Sequence, residues 1–163
     1  MNTTLVKKTT ALAICLTDVA LLAAACLVPT VSHIVGLAVG VLNPMLLLLL
    51  GSMLLVSDRR NAYLLALLMP LCSYLLVGVP SFAKMVCLCG ELAAVVAFFA
   101  LFSSKMHTLP AVLLAMVVAK GCYYGLKAVL VGGVLVATPL VMQLPIMMLT
   151  AFVFAFCFRK INK

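Results

Sequence analysis

Residues 119–127 read AKGCYYGLK and place Lys120, Tyr123, Tyr124 and Lys127 at i, i+3, i+4 and i+7. That spacing puts two ammonium groups and two phenols on one face of an α-helix. A second polar stripe precedes it. Glu91 follows Lys84 by seven residues, so on a helix their directions differ by about 20° and their heights by about 10 Å. One stripe offers cations and phenolic hydroxyls, the other an ammonium and a carboxylate. Side chains of these types hold a polar ligand by charge and hydrogen bonds, or they neutralise one another.

The elements that must position them are membrane helices. The chain has 163 residues, is 67% hydrophobic and 9% charged, and has a mean hydropathy of +1.38. Soluble domains carry about 25% charged residues, so a water-soluble globule is excluded and an integral membrane protein is expected. Polar and turn signals divide the chain into six apolar segments near 9–28, 43–57, 62–78, 82–102, 109–130 and 139–158. Several approach the ~20 residues of a membrane span, while the second and third are shorter and suit a thin or re-entrant region. The first segment is too long for the ~7–15-residue apolar region of a signal peptide and has no clear small-x-small cleavage site. A single all-α domain of six transmembrane helices, residues 1–163, is the predicted fold.

Counting cations by side predicts its orientation. With the N-terminus inside, Lys7, Lys8, Arg59, Arg60, Lys105, Arg159, Lys160 and Lys163 are cytoplasmic, eight of the eleven Lys and Arg residues. The positive-inside rule then gives N-in and C-in. The same eight account for most of the net charge of +8, so the basic balance needs no nucleic-acid partner.

Three lysines remain, Lys84, Lys120 and Lys127, against two carboxylates within spans, Asp18 and Glu91. Residue counts put Asp18, Glu91 and Lys120 at similar, near-central depth. An ionisable group there costs at least about 2.5–3.5 kcal/mol unless it faces a partner or a wet cavity. Two polar stripes of similar height predict an outward-open cavity between spans four and five. The surplus cation favours a ligand with an anionic group. The plainer alternative is that Lys120 neutralises Glu91 or Asp18 to fix helix register, that Lys84 and Lys127 snorkel to the interface, and that the tyrosines belong to an aromatic belt.

Two further regions bear on a site. The 29–42 stretch, PTVSHIVGLAVGVL, is apolar, broken by Pro29, Gly36 and Gly40, and carries His33. It suits a lid over a cavity or a short re-entrant connector, with His33 lining the site or merely solvated. Asn43-Pro44 opens span two, where helix capping is the favoured role of Asn43. Span one has small residues at Ala13 and Thr17 and at Ala20 and Ala24, spacing that lets another helix approach closely, within the chain or on a partner.

Enzymatic chemistry is not expected. No HExxH motif, nucleophile elbow or Walker A loop occurs, and His33 and His107 fall on opposite sides of the membrane. The seven cysteines are scattered through apolar runs and form neither a disulfide framework nor a metal site. No cofactor or metal is predicted.

Read in order, the chain shows an outer loop with a histidine, NPMLLLLLGSMLL, a basic turn, the run from Pro70 to Pro80, KMVCLCGEL and KGCYYGL. From about residue 10 to 160 this resembles the small six-span substrate-binding (S) components of energy-coupling factor (ECF) vitamin transporters. The sharpest parts are Gly78-Val79-Pro80 with Glu91-Leu92, and Lys120-Gly121 with Tyr124-Gly125. The branch in question often has arginine where Lys120 stands, and Pro-Met-His where this chain has Pro44-Met45-Leu46. The resemblance implies high-affinity capture of a small water-soluble vitamin or related micronutrient at a bacterial plasma membrane. It implies a pocket in the outer halves of the later spans, capped by the first outer loop. Its partners would be the lipid bilayer, a coupling transmembrane subunit and two ATPase subunits. The expected substrate-binding residues are Lys84, Glu91, Lys120, Tyr123, Tyr124, Lys127 and His33, and Ala13, Thr17, Ala20 and Ala24 are expected to dock the partner. Rival readings are a proton-coupled secondary transporter using Asp18 and Glu91, and a ligand-free membrane scaffold.

Overall fold

Leucine is the most frequent residue, followed by valine and alanine, and leucine and alanine favour helix. An apolar solvent enforces it, since each backbone N–H and C=O must then be satisfied within its own segment. The computed structural model describes residues 12–27, 43–56, 59–78, 80–131 and 138–161. Among the described residues the chain is all-helical, without strands. The helices are α1 (Leu12–Leu27), α2 (Pro44–Leu55), α3 (Arg59–Val77), α4 (Phe82–Phe102), α5 (Thr108–Val131) and α6 (Thr138–Ile161). The 29–42 stretch with His33 lies outside the described residues, as do Lys7, Lys8 and Lys163.

Three of the helices are long and apolar enough to cross a membrane, over Arg59–Val77, Phe82–Phe102 and Thr108–Leu130. Helix α2 has 12 residues, about 18 Å of rise against a hydrocarbon core of about 30 Å. Helix α3, expected to be short, has 19 residues because Arg59, Arg60 and Asn61 form its first turn instead of a joint. Large apolar side chains face outward on α3, α4, α5 and α6, among them Leu76, Phe82, Val129, Phe152 and Phe156.

Local chemistry sets the helix ends. Pro44 starts α2, where its missing N–H is no loss, and Gly78 stops α3 at φ 75°, its N–H donating to Tyr74 O at 3.0 Å. Left-handed backbone of that kind favours glycine. Pro70 and Pro145 interrupt the hydrogen-bond ladders of α3 and α6 from within, as proline must.

Helices α4 and α5 form an antiparallel hairpin and share the most extensive interface. Helix α3 packs on α4, α6 on α5, and α2 against α3 and α6. The core joins Leu49, Leu65, Met69, Leu92, Val96 and Met116. At Gly90 the end of the Leu126 side chain of α5 takes the space a side chain would fill, with Leu126 Cδ1 2.6 Å from where a Cβ would stand. Phe99 of α4 meets Phe154 and Phe158 of α6 edge to face, at 5.5 and 6.0 Å between ring centres. The C-terminal ends of α4 and α6 therefore lie together, with the start of α3 beside them. Arg59, Arg60, Lys105, Arg159 and Lys160 all fall at that end, and Lys84 and Lys127 at the other.

Candidate functional site

Near the middle of α4 and α5, Lys120 Nζ lies 2.7 Å from Glu91 Oε1. Both side chains are buried, 8% and 1% exposed. Desolvating one charge alone is expensive, so each needs the other. Their central positions in the two antiparallel helices put them at matching heights.

A third group completes the arrangement. Asn43 stands at the N-cap of α2 in left-handed backbone, φ 35° and ψ 72°, a conformation that asparagine tolerates better than most residues. Its side chain makes no capping hydrogen bond. Instead Nδ2 donates to Glu91 Oε1 at 3.1 Å. The favoured capping role thus gives way to one in the site: the left-handed turn swings the amide towards α4, and the Leu46 N–H that a cap would serve donates to Asn43 O at 3.0 Å. Glu91 Oε1 accepts from two helices, while Oε2 is buried and has no hydrogen-bond partner among the described residues.

Lys120 also sits 5.2 Å from the centre of the Tyr123 ring, a cation–π contact one turn away on the same helix. Tyr123 and Tyr124 touch edge to face at 5.3 Å, and both are half-buried. Lys84 and Lys127 are exposed. The stripes read from spacing therefore divide: their inner members, Glu91, Lys120, Tyr123 and Tyr124, come together, and their outer lysines stay at the rim.

A cavity of about 10 Å³ adjoins Lys120, lined also by Asn43, Gln143, Thr150, Met116 and Met147 among others. It lies between α2, α5 and α6, whereas a hollow between α4 and α5 was expected. The volume is close to the least that holds one water. Gln143 and Thr150 were not singled out from the sequence. An amide and a hydroxyl inside the last apolar run were the available signal, although Thr150 Oγ1 also donates to Ile146 O at 2.7 Å.

Asp18 takes no part. It accepts from Asn61 Nδ2 at 2.9 Å, which ties α1 to the first turn of α3. This lies nearer the basic end than the central depth expected for Asp18. Of the small residues on α1, Ala13 and Ala20 are exposed, and Thr17 and Ala24 are half-buried. Cys87 and Cys89 carry free thiols. No family model matches the chain, nor does any curated protein or solved structure.

Proposed function

We propose that this chain is the substrate-capture subunit of an ECF-type importer, a six-span protein of a bacterial plasma membrane with both termini inside. It binds a small water-soluble vitamin or related micronutrient and leaves ATP hydrolysis to other subunits. The observation that carries this reading is the buried Lys120–Glu91 pair, held by Asn43 and bordered by a cavity with Gln143 and Thr150. A few convergent polar groups in an apolar wall are what a small-molecule site requires, and charges at such depth commonly serve a transported solute. Lys120 and Glu91 bind and orient the ligand, a tyrosine stacks on it or hydrogen-bonds to it, and Lys84, Lys127 and His33 belong to the outer approach. The gathering of five cations at one end of the bundle supports the orientation. Helix α1, with Ala13, Thr17, Ala20 and Ala24, is the proposed face for the coupling subunit.

A stand-alone proton-coupled carrier is the second reading, favoured by Glu91 Oε2, which has no hydrogen-bond partner among the described residues. One experiment separates them. The protein is extracted in mild detergent and its retained small molecules are identified by mass spectrometry, alongside Lys120→Ala and Glu91→Ala variants. Uptake of the identified molecule is then measured in cells with and without the coupling and ATPase subunits. Capture predicts retention by the wild type, loss in both variants, and uptake that needs the ATPases. Unchanged retention in the variants defeats the site, and uptake that survives without ATPases but collapses with the proton gradient favours the rival.

A further inference from the structure

We infer that the ligand group reaching the buried pair is uncharged, an amide-, lactam- or hydroxyl-type group and not an anion. The inference rests on the capture reading and deepens it. Sequence counting set three lysines against two carboxylates and so pointed to an anion. In the folded chain the accounting is local. Lys120 is neutralised by Glu91 at 2.7 Å, Lys84 and Lys127 are exposed, and Asp18 lies elsewhere, hydrogen-bonded by Asn61. The other polar side chains on the cavity, Asn43, Gln143 and Thr150, carry no charge. The buried site therefore sums to zero.

An anion entering it would have to take Lys120 from Glu91 and leave a carboxylate buried without its cation, or else add a second negative charge beside the first. Either is a heavy electrostatic loss in a low-dielectric interior. A neutral group meets no such obstacle. Lys120 has three N–H donors and spends one on Glu91, so a carbonyl or hydroxyl oxygen can accept another. The side-chain amides and the Thr150 oxygen supply acceptors for an N–H or O–H. A cavity of about 10 Å³ has room for about one water-sized atom, so it is a subsite for the carbonyl or hydroxyl tip of the ligand's polar end.

The test compares matched probes that differ in charge: acetamide with acetate, and benzamide with benzoate. Thermal unfolding of the detergent-solubilised full chain is followed against the concentration of each. On the wild type the carboxylates give no more stabilisation than the amides. On Glu91→Gln, which leaves Lys120 uncompensated, the carboxylates stabilise at concentrations lower by about tenfold or more. The double variant Glu91→Gln/Lys120→Met restores neutrality and loses that gain, and the wild-type comparison decides by itself if Glu91→Gln folds poorly. Wild-type protein that prefers the carboxylates, or a Glu91→Gln response no different from wild type, overturns the inference. The capture reading fails on different data, namely the absence of a retained molecule or independence from the ATPases.

Discussion

Removing the charge of Glu91 leaves Lys120 as a buried cation with no counter-charge, so Glu91→Gln is expected to destabilise the chain by about 3–5 kcal/mol. Lys120→Met is expected to cost a similar amount through the orphaned carboxylate. The double variant Glu91→Gln/Lys120→Met should cost clearly less than the two singles together, because it removes both charges while keeping similar volume. A double-mutant cycle of unfolding in mixed micelles measures the difference, and strict additivity would show that the groups do not interact. Asn43→Ala removes one charge-assisted donor and is expected to cost about 1.5–3 kcal/mol. That loss should shrink when position 91 is already glutamine. At this scale the sequence was legible as far as periodicity reaches. Spacing along α4 and α5 brought Glu91 and Lys120 to a common depth, and they pair. It did not reveal that Asn43 turns from its cap to Glu91, that Gln143 and Thr150 border Lys120, or that Asp18 meets Asn61. Each of those depends on the rotation and height of one helix relative to another, which spacing within a single helix does not contain.

Helix approach is what converts those residues into a site, and between α4 and α5 Gly90 leaves room for the Leu126 side chain. In Gly90→Ala the new Cβ meets only the end of the Leu126 side chain, which is 36% exposed and free to swing outward. Better helix propensity offsets part of the displacement, leaving a net change within about 1 kcal/mol. Gly90→Leu gives no such escape. It wedges the hairpin apart beside Glu91, so overpacking of about 1–3 kcal/mol should be joined by loss of small-molecule retention. A Gly90→Leu variant that retains ligand as wild type does would show that hairpin closeness is not what places Lys120 on Glu91. The Asp18–Asn61 bond acts between other elements. Asn61→Ala should raise amide exchange in α1 while leaving α4 and α5 protected, because among the described residues of α1 only Ala25 is buried and so few buried contacts let a helix open by itself. The helix limits were largely readable from Pro44, Gly78 and the 103–107 turn. The start of α3 was not, because arginines at a membrane boundary suit a first helical turn and a joint equally well.

Charge distribution over the whole bundle sets its orientation in the proposed reading. The antiparallel α3, α4 and α5 and the meeting of Phe99 with Phe154 and Phe158 put the 103–107 turn and the end of α6 on the same side. Five cations collect there, and none of the described acidic residues does more than approach it through Asp18. Single cysteines at Ser104 and Lys160, introduced after the seven native cysteines are replaced, are therefore expected to react with an impermeant thiol reagent only once the cytoplasmic face is opened. A cysteine at Ser81, at the opposite end of α4 and exposed, should react in intact cells. Labelling of positions 104 and 160 from opposite faces would contradict the helix directions themselves. Labelling of both from outside would instead leave the bundle intact and invert the proposed topology. In that case the site would open to the cytoplasm, and a capture role would have no physical route for its ligand. The orientation of the bundle and the neutrality of the buried pair are thus separate conditions, one deciding which solution the ligand comes from and the other which group of it can enter.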